Sequence, residues 1–127
     1  MIRKFTLATL MVLLPAAILS GAADGSWLKR VPARDHEKTS PYRGQADAIA
    51  AGRRIFADRC SQCHGENAEG IRKRPALRSE RVQQQATEGD LHWLLVNGNM
   101  RKGMPSWAKL PDQQIWQVIT YVKSLHE

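Results

Sequence analysis

Two thiols and an imidazole fall within five residues, Cys60-Ser61-Gln62-Cys63-His64, and they are the only cysteines in the chain. The spacing C-x-x-C-H is that of a c-type haem attachment site. The thiols add to two vinyl groups as thioethers, and the adjoining imidazole reaches the iron from one face. A cofactor tethered in this way organises a small chain without being fully enclosed by it. Other uses of the pair fit less well. A thioredoxin-like redox pair belongs beside a β-α-β pattern, and no such alternation is visible. A structural zinc takes four ligands, usually in two paired sets. Here there is no second pair, and His36, His92 and His126 are scattered. A plain disulfide leaves His64 unexplained.

The 127 residues suit one domain, preceded by a stretch outside its core. Met1-Ile2-Arg3-Lys4 is a short positive run, Phe5 to Leu19 is largely apolar, and Ser20-Gly21-Ala22-Ala23 supplies small residues. This is a secretory signal pattern, with cleavage expected after Ala22 or Ala23. The apolar run is shorter than the roughly 20 residues that span a bilayer, so no stable membrane span is expected after signal removal. No cysteine follows the run, which excludes a lipoprotein. Haem attachment to C-x-x-C-H takes place outside the cytoplasm, so a periplasmic or otherwise exported protein is expected. With Arg3 and Lys4 removed, the 19 basic and 12 acidic side chains leave a mature charge of about +5, before the haem propionates subtract from it. That balance favours an acidic partner or an anionic membrane. Nucleic acid is not expected, because no recognition motif is present.

The mature chain divides into an extended arm over 24–45 and a globular domain over 46–127. The arm is polar, carries Trp27, Leu28, Val31 and Tyr42 as its large apolar residues, and is interrupted by Pro32 and Pro41. From Ala46 to Arg59, Ile49, Gly52, Ile55 and Phe56 recur at helical spacing, and the helix runs into Cys60. Gly52 is either a site of close helix approach or a tolerated defect costing up to about 1 kcal/mol. Gly65 to Gln85 reads as irregular chain with Arg72, Lys73, Arg74, Arg78 and Arg81, a solvated face or part of a docking surface. Pro75 is placed to offer a carbonyl to the second ring nitrogen of His64.

Thr87-Glu88-Gly89-Asp90 resembles a capping box, and Leu91, Leu94 and Leu95 form the apolar face of the helix it starts. Asn97-Gly98 ends that helix. His92, alone on it, reads as a surface or packing residue. Met104 lies between Gly103 and Pro105, where a thioether is held by a constrained backbone and suits haem iron. Met100 is the weaker rival, and a core methionine filling a gap is the plain alternative. Pro111 to Leu125 is the last helix, with a core face of Ile115, Val118, Ile119 and Val122 flanked by Trp116 and Tyr121.

From Ala46 to Leu125 the chain resembles the class I monohaem cytochromes c. The elements come in the family's order: helix, C-x-x-C-H, proline loop, helix, Gly-Met-Pro, final helix. The resemblance implies an all-α cytochrome c fold, with three or more helices around one covalently bound haem (heme c) and crossed terminal helices. Gly52 and Phe56 match one side of that crossing, Val118 and Tyr121 the other. It implies cofactor binding by Cys60, Cys63, His64 and Met104, with His64 and Met104 on the metal. It implies no enzyme but a one-electron carrier between periplasmic redox partners. The positive charge of the chain favours partners with an acidic docking surface, for which Arg101 and Lys102, joined by Arg72, Lys73 and Arg74, are the candidate positive rim. Gly103-Met104-Pro105-Ser106-Trp107 also looks like the small domains that accompany periplasmic dehydrogenases, including quinoprotein ones, so a permanent electron-transfer subunit is an alternative. Trp107 either reaches a propionate or simply packs. A ligand-binding sensor or peroxidase-like protein is the rival from another class, and it requires the Met104 position to be open.

Overall fold

Two helices meet at a point that admits no side chain. In the computed structural model, which describes residues 25–126, helix α2 (Ala46–Arg59) and helix α5 (Asp112–Lys123) cross at Gly52. A Cβ on Gly52 would overlap the Gln117 carbonyl oxygen and stand 2.8 Å from Cβ of Tyr121. Close approach is therefore the reason for this glycine. Ala48, Gly52 and Phe56 are the buried residues of α2, four apart on one face. Phe56 meets Tyr121 with ring centroids 5.4 Å apart and planes at 57°, the tilted arrangement that aromatic quadrupoles favour. Alanine-rich α2 has strong helix propensity. Helix α5 is full of β-branched residues and owes its stability to burial: Ile115, Trp116, Val118, Ile119, Thr120, Tyr121 and Val122 all lie inside.

Helix α4 (Glu88–Asn97) packs beside α5 and starts as its sequence predicts. Thr87 Oγ1 accepts from the Asp90 amide at 3.1 Å, and the Asp90 carboxylate accepts from the Thr87 amide at 2.8 Å. Gly98, at φ 70°, ends the helix. No strand occurs among the described residues; a single antiparallel bridge joins Asn99 and Met104. The architecture is all-α.

Two regions differ from the sequence reading. The arm expected to be extended carries a 3₁₀ turn, Ser26–Arg30, and a short helix α1 (Ala33–His36), and it lies on the domain. Helix α1 seats on the first turn of α4, where a Cβ on Gly89 would overlap the Asp35 carbonyl oxygen. Buried Ser40 bonds Thr120 side chain to side chain at 2.7 Å, and its amide donates to Glu88 at 2.8 Å. Arg43 pairs with the same carboxylate at 2.6 Å. These polar partners lie far along the chain, so composition does not reveal them. The second region, 65–85, ends in a π-helical turn, Arg81–Gln85. Lys123 Nζ holds that turn by donating to the carbonyls of Val82, Gln83 and Ala86 at 3.0, 2.6 and 2.9 Å. The predicted signal segment 1–23 lies outside the described residues. Among the described residues no helix is long and apolar enough to cross a membrane.

Candidate functional site

Helix α2 delivers Cys60 directly: the Cys60 amide donates to the Phe56 carbonyl at 2.8 Å. A further turn, α3 (Ser61–His64), comes next, with the amides of Cys63 and His64 donating to the Cys60 carbonyl at 3.1 and 3.0 Å. One turn of helix thus sets Cys60, Cys63 and His64 side by side, three and four positions apart. Gly65, at φ 85°, stops it. Cys60 is half-buried and Cys63 exposed, and no disulfide joins them. Burial, helped by Cys63, pushes the Cys60 thiol up to about 11.

His64 Nδ1 lies 3.0 Å from the Pro75 carbonyl oxygen. A carbonyl only accepts, so Nδ1 carries the proton and Nε2 keeps its lone pair free for a metal. Burial holds the ring below the usual histidine range; the Pro75 bond opposes this, and the nearby Arg74 charge adds to it. A neutral imidazole is the ligand-competent form. The loop that brings Pro75 here turns at Gly70, φ 83°, where a Cβ would crowd the Arg74 carbonyl at 2.7 Å.

The Met104 loop is clamped from below and from within. The Asn99 amide donates to the Met104 carbonyl at 2.8 Å, and the Met104 amide to the Asn99 carbonyl at 3.1 Å. The Trp107 amide donates to Leu95 at 2.7 Å, and Ser106 Oγ to Val96 at 2.5 Å. Arg74 ties the loop to the proline loop by donating to the Gly103 carbonyl at 3.1 Å.

Cys60, Cys63, His64 and Met104 all line one cavity of about 340 Å³, a size typical of ligand sites. Its apolar wall includes Phe56, Leu91, Leu94, Val118 and Ile119. Trp107 also lines it, whereas Met100 does not and is 71 % exposed. The charged residues of the lining are Arg59, Lys73, Arg74, Arg81 and Lys102, with no carboxylate. This donor set suits haem c: a nitrogen and a soft thioether for iron, an apolar wall for the macrocycle and cations for its propionates. It does not suit zinc, since no group of three metal-binding His, Cys, Asp or Glu residues occurs among the described residues. His92 stays outside the cavity, stacked on Trp116 with centroids 4.2 Å apart and bonded to Asp112 at 2.7 Å. Sequence reasoning did not place Trp27 and Arg81 in the lining; the aromatic in a polar arm and the arginine in a basic run were the available signals.

Residues 47–122 match the family described as cytochrome c oxidase, cbb3-type, subunit III. Among solved structures, the fold is similar to cytochrome CL from the marine methylotrophic bacterium Methylophaga aminisulfidivorans MPT, with 30 % identity and a TM-score of 0.57 over 66 % of this chain and 57 % of that one. It is also similar to a chain of the Kuenenia stuttgartiensis reducing HAO-like protein complex, with 25 % identity and a TM-score of 0.60 over 68 % and 47 % of the two chains. The chain thus spans about half the length of these solved relatives. No curated protein matches its sequence significantly. A helical fold in the family's order, a cavity that brings C-x-x-C-H and Gly-Met-Pro together, and the family match over 47–122 lead to one conclusion: the chain belongs to the cytochrome c family, as a small c-type cytochrome that binds haem c covalently.

Proposed function

We propose that this protein is an exported, periplasmic one-electron carrier in which Cys60 and Cys63 hold the haem as thioethers and His64 and Met104 are the axial ligands. The observation that carries the reading is the shared cavity: His64, oriented by Pro75, and Met104, fixed by Asn99, line the same space. Bound haem iron supplies a one-electron couple there. The chain's part is to hold both ligands through a change of charge, so that little reorganises and no position opens for substrate. Phe56 and Val118 keep water from the buried side, and the cations of the lining offset the propionates. In this reading residues 1–23 are removed on export, and 24–45 and 46–127 remain together.

The partner carries an acidic docking surface. Arg72, Lys73, Arg101 and Lys102 lie on the two loops joined by Arg74 and Gly103. Among the described residues the exposed large hydrophobics are Ile71 and Met100, on these same loops. Apolar contacts inside a ring of cations suit a brief encounter steered by charge. Reversing Lys73 and Arg101 to glutamate should slow electron transfer at least tenfold at low salt and flatten its dependence on ionic strength; unchanged rates with the physiological partner would remove this surface from the proposal.

A bound rather than shuttling role is the second reading, favoured because one similar fold is a chain of a redox complex. The partner would then be a periplasmic dehydrogenase, a quinoprotein being one candidate, and copurification from the periplasm decides between the two. The test of the ligand set is the visible spectrum, oxidised and reduced, with and without carbon monoxide. A low-spin spectrum, a weak thioether-to-iron band when oxidised and no carbon monoxide shift are expected. A high-spin spectrum that shifts with carbon monoxide would transfer the reading to a gas-binding or peroxidase-like protein.

A further inference from the structure

The segment before α1 joins two loops that carry the site. At one end Gly25, at φ 67°, lies against Arg81, where a Cβ would come 2.6 Å from Nε. Arg81 belongs to the end of the proline loop and lines the cavity, as does Trp27 two residues further on. At the other end Arg30 donates to Asn99 Oδ1 at 3.2 Å, with its guanidinium 5.8 Å from the centre of the Trp93 ring. Asn99 is the residue whose amide and carbonyl both bond Met104. Helix α1 anchors the C-terminal end of the segment by seating on Gly89 of α4.

We infer that residues 25–30 are a strap that positions the Met104 loop, with Arg30 as its positioning residue and Trp27 as its seal on the cavity. The inference rests on Met104 as the iron ligand proposed above. The bridge between Asn99 and Met104 is short, and a two-residue bridge holds poorly in water by itself. Fixing the Asn99 side chain from outside restricts the backbone on which both bridge bonds depend. Arg30 does this with a charge-assisted donor whose cation also faces an aromatic ring. Trp27 closes the edge beside it with a large apolar body. Arg30 does not line the cavity, so it acts on Met104 only through Asn99.

The experiment uses the full haem-loaded protein and compares Arg30→Ala, Arg30→Lys and Trp27→Ala, with Arg34→Ala as a control on the exposed side of α1. Two readouts are taken: hydrogen exchange at the Asn99 and Met104 amides, and the rate of carbon monoxide binding to the reduced protein together with the thioether-to-iron band. The strap predicts that Arg30→Ala speeds exchange at these two amides about three- to tenfold, that of an ordinary hydrogen bond lost at an exposed site, with α2 and α5 amides unchanged. Carbon monoxide binding should quicken by a similar factor, Arg30→Lys should recover part of the protection, and Arg34→Ala should behave as the parent. Unchanged exchange at Asn99 and Met104 in both Arg30→Ala and Trp27→Ala overturns the strap. If the parent protein lacks the thioether band and binds carbon monoxide at once, Met104 ligation fails by itself, and the exchange comparison still decides whether the strap orders the loop.

Discussion

The α2–α5 crossing and the cavity loops are held by opposite means. At the crossing, apolar faces meet so closely that Gly52 has no room for a methyl group, and packing supplies the energy. In the loops over 65–85 and 98–107, apolar burial is thinner and the chain is fixed by individual hydrogen bonds to carbonyls: His64 to Pro75, Arg74 to Gly103, Lys123 to two carbonyls of the π-helical turn and to that of Ala86 just after it. The first arrangement resists deformation as a whole. The second fixes single groups and yields locally when one bond is removed. The one-electron carrier proposed above would need both, a frame that does not move and ligands whose positions are set one at a time.

Gly52→Ala attacks the frame and should have the largest effect. Its methyl group would overlap backbone rather than a flexible side chain, so a loss of about 3 kcal/mol is expected. Denaturant unfolding should show a lower midpoint with an unchanged slope, and α2 and α5 should lose protection together. A loss below about 1 kcal/mol would mean the crossing is looser than a close-packed core.

Lys123→Met tests the joint between the two regions, since Lys123 stands on α5 but serves the π-helical turn. Three carbonyls lose a donor, and the expected cost is about 2 kcal/mol. Exchange at 82–86 should rise more than at Gly52 or Phe56. Equal increases in both places would erase the distinction between frame and loops.

The smallest effect is expected at Glu88, which fastens the N-terminal segment. Burial pushes its carboxyl up, but the bonds from Arg43 and from the Ser40 amide, with the charges of Arg43 and Lys123, outweigh this and hold it below its ordinary 4.5. A carboxyl lowered in the folded state stabilises fully above the unfolded value, and that contribution is lost as pH falls from about 4.5 through the folded value. Glu88→Gln should cost about 1 kcal/mol at pH 7 and flatten the stability profile below about pH 5. If the profile keeps its slope, another carboxyl carries the acid sensitivity.

The same contrast explains what was legible in the sequence. The bounds of α2, the capping box at Thr87, the stop at Gly98 and the start at Pro111 were readable because local chemistry and the 3.6-residue period produce them. So was the frame of the site, C-x-x-C-H and the Pro75 carbonyl beside His64; of the two methionines weighed as iron ligands, Met104 lines the cavity and Met100 does not. The docked segment 25–45 was not, because Ser40 finds Thr120 eighty residues away, and Glu88 at forty-eight, through buried polar contacts with no periodic signature. Nor was the turn Arg81–Gln85, which depends on a lysine from the far end of the chain. Trp27, Arg81 and Asn99 as neighbours of the site were hidden for that reason.

The missing methyl group at Gly52 also has a genetic consequence. Any single-base change in a glycine codon that alters the residue without stopping the chain yields one that carries a Cβ, and here every Cβ meets the Gln117 carbonyl. Position 52 therefore has only destabilised neighbours one step away, while exposed Met100 sits on open ground. In a randomised library selected for haem-loaded protein, codon 52 should return almost unchanged and codon 100 should return nearly scrambled.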